Sequence, residues 1–201
     1  MMITSVKQQI KRPDRYSIFV EGKYAFSLSE TALLESKLVN GQELNEDEIR
    51  EYKQLSSDDK LYNKALRYVA MRPRSRWEIE QYLFRKKASP ALIEQITNKF
   101  NMIGLIDDQK LAQAFVNDRR LLRPTSRRKM ILELRNKHLA DEYIQQAIGE
   151  DNSDEQTALE AIIKNKRRQS KYQDDLKLMQ YLSRQGFNYG DIKAALSKDE
   201  D

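Results

Sequence analysis

Arginine and lysine supply the chemistry that this sequence concentrates. Arg72, Arg74 and Arg76 straddle Pro73, and Lys86 and Lys87 follow a short distance on. Arg119, Arg120, Arg123, Arg127, Arg128 and Lys129 form a second cluster, and Lys164, Lys166, Arg167, Arg168 and Lys171 a third. Guanidinium forks match carboxylates and phosphates, and ammonium groups act as point charges toward either. The chemistry on offer is anion recognition. The residues expected to touch a partner or nucleic acid are Arg72, Arg74, Arg76, Lys86, Lys87, Arg119, Arg120, Arg123, Arg127, Arg128, Lys129, Arg167 and Arg168. The competing reading makes them solvated charges, or partners of local acids such as Glu78.

Other chemistries find no residues. One histidine, His138, and no cysteine exclude multi-histidine and thiolate metal sites, disulfides and a Ser-His-Asp triad. Gly41, Gly104, Gly149, Gly186 and Gly190 stand alone, so no phosphate-cradling glycine loop exists. Asp107-Asp108 reads as an N-cap plus a first-turn acid rather than a metal pair. Trp77 opens a stripe continuing through Ile79, Tyr82 and Leu83, which places it in or beside a core rather than on a stacking platform. We expect no metal, no cofactor and no enzymatic activity.

The charge is unevenly spread. Net charge is +5, but residues 60–106 hold 10 basic and 3 acidic side chains, a local +7, and 107–149 hold 9 and 6. A basic middle suits a polyanionic partner. The hydrophobic fraction of 39% and mean hydropathy of −0.80 are low for one compact globule and fit thin helical layers. No run approaches a membrane span or a signal peptide, and the expected location is the cytoplasm.

These charges need elements to position them. Ile3–Ile10, Tyr16–Val20 and Tyr24–Leu28 suit two or three antiparallel strands, with turns at Pro13-Asp14 and at Glu21-Gly22-Lys23. Ser29 caps a short helix that ends near Lys37 and is closed by Asn40-Gly41. Asn45 caps another, with Glu46, Asp47 and Glu48 in its first turn. Ser56-Ser57-Asp58-Asp59 reads as a break, after which helical periodicity dominates, with Tyr62, Ala65, Leu66 and Val69 in one stripe.

From there the chain repeats itself. Three alanine-centred helices (Ala65, Ala114, Ala161) are each followed by two more, and Leu83/Ile93, Leu134/Ile144 and Leu182/Ile192 stand ten residues apart each time. Each stripe is too narrow to stand alone, so the helices of a unit must pack together. Gly104–Asp108 is expected to be a packed link and Gly149–Asp154 a polar, flexible one. The expected fold is mainly α, with three tandem three-helix repeats in an elongated curved array after a small N-terminal β-hairpin or sheet. The expected boundaries are 1–58 for the β-rich leader and helical linker, then repeats at 59–106, 107–150 and 151–201.

Arg74-Ser75-Arg76-Trp77-Glu78-Ile79 with Leu83, then Gly104-Leu105-Ile106-Asp107-Asp108 with Ala112 and Phe115–Arg120, then Glu133–Lys137 opening toward Ile144, resemble the RecX family of recombinase regulators. The chain departs from that pattern at Lys86-Lys87-Ala88 and at Pro124-Thr125-Ser126, where the family carries a glycine. The resemblance implies a non-catalytic monomer that binds the RecA–DNA filament, in its groove or at its end. It would inhibit recombinase, ATPase and co-protease activity, with DNA bound only weakly in RecA's absence. A different class of reading is a basic helical DNA-binding or architectural protein acting without recombinase. A third is a scaffold that contacts only protein.

Overall fold

A computed structural model of the chain describes residues 1–151 and 155–199. The part of the expected flexible link at Asn152, Ser153 and Asp154 lies outside them. The chain divides into two compact units, Met1–Arg72 with Ile79–Ile103, and Pro73–Glu78 with Gly104–Asp201.

The first unit begins with an antiparallel sheet in the order β1 (Ile3–Gln9), β2 (Arg12–Val20), β3 (Lys23–Ser29). Glu21 and Gly22 both take positive φ, 49° and 76°, as a two-residue hairpin turn matched to strand twist requires. The expected turn at Pro13-Asp14 is corrected: both residues lie in β2, and the chain reverses at Ile10-Lys11. Proline is tolerated there because the β1 ladder is irregular between Gln8 and Gln9, and pairing with β3 starts only at Arg15.

One face of the sheet is covered by α1 (Glu30–Ser36) and α2 (Glu46–Ala70). Ile3, Ile18, Phe26, Leu28, Leu44 and Ile49 are buried together there, and the Phe26 ring stacks on Tyr52 at 5.6 Å. Ser29 caps α1, but α1 ends at Lys37 in a left-handed conformation, before Asn40-Gly41. Asn45 and Glu48 form a capping box at the start of α2.

The expected break at Ser56–Asp59 is also corrected, since α2 runs through it unbroken. Ser56 and Asp59 face inward, while Ser57 is exposed. The Ser56 hydroxyl donates to the Ser27 carbonyl at 2.6 Å. Asp59 accepts from Arg15 at 2.8 Å, from the Ser29 amide at 2.9 Å and from the Ser29 hydroxyl at 2.6 Å. Arg15 also donates to the Ser27 carbonyl. A buried ion pair survives only when its remaining donors and acceptors are also satisfied, and here they are.

Farther along α2, Ala65 and Val69 are buried, as are Ile79 and Leu83 of α3 (Arg76–Arg85) and Leu92, Ile96 and Phe100 of α4 (Pro90–Met102). Tyr68 stacks on Tyr82 at 4.2 Å, and Tyr62 meets Phe100 edge-on at 5.4 Å. Ile93 is only half-buried, whereas its counterparts Ile144 and Ile192 are fully buried.

The second unit holds two three-helix layers. The first is α5 (Asp108–Leu122), α6 (Arg127–Arg135) and α7 (Asp141–Gly149), around Ala112, Val116, Met130, Leu134 and Ile144. The second is α8 (Glu155–Arg167), a 3-10 turn at Ser170–Tyr172, α9 (Asp175–Arg184) and α10 (Tyr189–Asp199). Its core is Leu159, Ile163, Leu178, Leu182, Ile192 and Leu196.

The alignment of the first helices on alanine needs correction. Ala65 is buried, but Ala114 and Ala161 are exposed. Burial aligns Ala65/Val69 with Ala112/Val116 and Leu159/Ile163, because the residue four positions on must share the inward face. Ile106 in the first link is buried, as expected of a packed link, while Leu105 is 40% exposed.

Candidate functional site

The second helix of each repeat is built alike. Ser75, Ser126 and Asp174 precede α3, α6 and α9, and each stands eight residues before the buried leucine, Leu83, Leu134 or Leu182. Ser126 and Asp174 accept the amides of Lys129 and Lys177, and Ser75 accepts that of Glu78. A left-handed residue closes each helix, Lys87 (φ 61°), His138 (φ 54°) and Gly186 (φ 89°). The left-handed turn that a glycine would serve in the first repeat is therefore present, carried by Lys87.

Ser75 and Ser126 each make a second bond. The Ser75 hydroxyl donates to the Lys137 carbonyl at 2.8 Å, and the Ser126 hydroxyl to the Gln185 carbonyl at 2.6 Å. The backbone N–H of Arg76 donates to the Asp108 carboxylate at 2.9 Å, and that of Arg127 to Glu155 at 3.1 Å. Asp108 and Glu155 each open the first helix of the following repeat. The same two-bond joint thus occurs twice. Carboxylates suit these positions, since an unsatisfied N-terminal amide and the helix dipole both favour negative charge.

Asp107 and Asp108 are accounted for by these roles. Asp107 caps α5, and the Lys110 backbone N–H holds its carboxyl below the usual aspartate value. The Lys177 N–H does the same for Asp174. Among the described residues no group of three or more His, Cys, Asp or Glu could hold a metal ion. Trp77 is half-buried and stacks on the His138 ring at 3.9 Å, a contact no sequence pattern announced.

The basic clusters are sorted by this framework. In the first, Arg72 is exposed, Arg74 lies 3.8 Å from Glu78, and Arg76 is half-buried at the start of α3. Lys86 and Lys87 are exposed at the end of that helix, with Lys86 over the Tyr82 ring. In the second, Arg120 is largely buried against Asp151 at 2.7 Å and Glu155 at 3.6 Å, and it also donates to the Thr125 carbonyl. Arg127 reaches the same two acids at 3.8 and 4.0 Å. Arg120 works inside the molecule, whereas the Arg127 side chain pairs from the surface, 44% exposed.

Arg119 pairs with Glu133 at 2.8 Å and covers the Phe115 ring. Arg123 and Arg128 are exposed, and Lys129 donates to the Gln185 amide oxygen. In the third cluster Arg167 binds Asp175 and the carbonyls of Tyr172 and Gln173. Arg168, Lys164 and Lys171 are exposed, and Lys166 lies over the rings of Tyr172 and Tyr181. The second and third clusters meet at one recess, which Arg119, Arg123, Lys129 and Lys166 all line.

Three family models match the chain. They are the regulatory protein RecX N-terminal domain over residues 1–45, the RecX first three-helix domain over 62–100, and the RecX second three-helix domain over 107–148. Relatives named regulatory protein RecX include one from Bacillus subtilis, 29% identical over 98% of this chain and 77% of its own length. One from Listeria monocytogenes is 32% identical over 98% of this chain and 76% of its own. One from Listeria welshimeri is 36% identical over 77% of this chain and 57% of its own. Among solved structures, a crystal structure of regulatory protein RecX matches with a TM-score of 0.73 at 24% identity, covering 98% of both chains. RecX from Lactobacillus salivarius matches with a TM-score of 0.58 at 23% identity, covering 70% of this chain and 95% of that one. At these identities the structural likeness concerns the fold.

Proposed function

The chain belongs to the RecX family of regulatory proteins, and from that premise we propose that it is a non-catalytic regulator of the RecA recombinase. On this reading it binds the RecA–DNA filament, in its groove or at its growing end, and inhibits recombinase, ATPase and co-protease activity. Repeats at 59–106, 107–150 and 151–201 would present their basic lead-ins to phosphates and to acidic protein surface. One observation carries the reading beyond family membership. After Arg120, Arg127 and Arg167 are paired with Asp151, Glu155 and Asp175, Arg123, Arg128, Lys164, Arg168 and Lys171 remain exposed, with no carboxylate in ion-pair distance among the described residues. Charge left over once the fold has taken what it needs is charge available to a partner.

The test is RecA ATPase activity on single-stranded DNA, titrated with this protein below and at stoichiometry. Inhibition at either ratio is expected. A rate unchanged at both sinks the proposal.

The runner-up is a DNA-binding or architectural module acting alone, favoured by three-helix units in which one second helix, α6, opens on Arg127-Arg128-Lys129. Comparing affinity for a RecA filament with affinity for the same DNA free separates the two. Tighter filament binding supports the first reading and equal affinity the second.

A further inference from the structure

We propose that the recess between α5, α6, α8 and α9 is a phosphate-binding site for single-stranded nucleic acid, with Arg123, Lys129 and Lys166 as its cations. It would supply the nucleic-acid contact of the filament-binding reading, on which it rests. The recess has a volume of about 370 Å³. Arg119 and Arg123 come from the end of α5, Lys129 from α6 and Lys166 from the end of α8. Residues 43 apart in sequence, Arg123 and Lys166, therefore face one cavity.

The electrostatics of the recess point outward. Its one acidic lining residue, Glu133, is held by Arg119 at 2.8 Å. The other three cations have neutral neighbours. Lys129 donates to the Gln185 amide oxygen, and the Lys166 ammonium sits 4.8 Å from the Tyr181 ring centroid and 5.4 Å from that of Tyr172. An amide oxygen and two ring faces orient an ammonium without cancelling its charge. Arg123 is exposed at the C-cap of α5.

The arrangement favours phosphodiester over carboxylate. Carboxylates are best held by a bidentate guanidinium fork, and the fork of Arg119 is already occupied by one. What remains is mostly point charge spread around a basin, which suits the several oxygens of adjacent phosphates. The cations lie inside a recess with Ile162 and Tyr181 in its lining, rather than strung along a ridge. A flexible single strand can turn neighbouring phosphates inward, whereas a stiff duplex holds its phosphates on the outside of a straight rod.

The experiment compares the unmodified full chain with an Arg123→Ala/Lys166→Ala variant by fluorescence anisotropy, using a labelled oligothymidylate and a duplex of equal length across a salt series. Among the described residues neither side chain bonds to the backbone or to a carboxylate, and thermal denaturation checks that the variant folds. Affinity for the single strand should fall about tenfold, and the slope of log affinity against log salt should lose about 1.4, roughly 0.7 per lost cation. An Arg123→Lys/Lys166→Arg variant should retain most of the affinity. Unchanged affinity and slope in the alanine variant, or an unmodified chain that binds no oligonucleotide, overturns the site. An equal loss on duplex overturns the single-strand assignment. Weaker RecA binding with unchanged oligonucleotide binding overturns it too, in favour of an acidic protein surface. A site confirmed here beside an unmodified chain that leaves RecA ATPase untouched would refute the regulatory reading and leave the site standing.

Discussion

Ser126 donates its hydroxyl proton to the backbone carbonyl of Gln185 at 2.6 Å while the same oxygen accepts the Lys129 amide at the start of α6. One buried oxygen thereby closes a helix and fastens that helix to the next repeat. Ser75 does the same with Glu78 and Lys137.

Replacing such a serine should cost more than losing a cap. Ser126→Ala removes the cap, worth about 1 kcal/mol, and leaves the half-buried Gln185 carbonyl without its donor, for about 1 kcal/mol more. Ser89→Ala, at an exposed serine that caps α4 through the Leu92 amide, should cost only about 1 kcal/mol. Urea denaturation of both variants checks this, and equal losses would show that the second bond contributes nothing.

Gly186 is constrained twice. Its φ is 89°, and an added Cβ would lie 2.6 Å from the Ser126 hydroxyl oxygen and 3.4 Å from the Lys129 amide nitrogen. Gly104 has a φ of 72° but nothing within 4 Å. Gly104→Ala should therefore cost about 1 kcal/mol of backbone strain, and Gly186→Ala clearly more, by thermal or urea unfolding. The two variants melting alike would contradict the close approach.

In the first unit, Asp59→Ala strands a guanidinium that is 2% exposed and should destabilise by about 3–5 kcal/mol. Asp47→Ala removes a pair with Arg50 whose side chains are 81% and 78% exposed, and should change stability by less than about 1 kcal/mol. Loss of stability at Asp47 comparable to that at Asp59 would overturn the ranking.

Asp107 gives a pH signature. The Lys110 N–H lowers its carboxyl in the folded state, so its contribution is complete above the unfolded value of about 3.9. That contribution is lost as pH falls through the lower folded value. Asp107→Asn keeps an acceptor for the amide but has no proton to gain. The stability advantage of the native chain over this variant should be constant near neutrality and shrink below about pH 4. An advantage that grew on acidification would reverse the sign and refute the assignment.

Local signals were legible in the sequence. The caps at Ser29, Asn45, Asp107 and Ser126, the hairpin turn and the ten-residue leucine–isoleucine spacing all follow from chemistry acting within a few residues. What stayed hidden depends on distant partners. Asp59 looked like part of a loop because its partner Arg15 is 44 residues away. Ser126 showed its cap but not its bond to a carbonyl 59 residues on, and Ser75 showed neither its cap nor its bond to a carbonyl 62 residues on. The second basic cluster read as one patch, yet Asp151 and Glu155 take Arg120 and Arg127 as ion-pair partners and leave Arg123 to the recess.

The repeated joint has a polarity, like a plug and a socket. The plug is a serine hydroxyl with a proton to give, at Ser75 and Ser126, and the socket is a carbonyl just before a left-handed residue, at Lys137 and Gln185. Asp174 occupies the plug position of the last repeat, and its lowered carboxyl carries no proton at neutral pH. Residues 155–199 thus offer a socket-side partner to the repeat ahead of them but no hydroxyl proton of their own at this position, and Asp174→Ser would restore that donor.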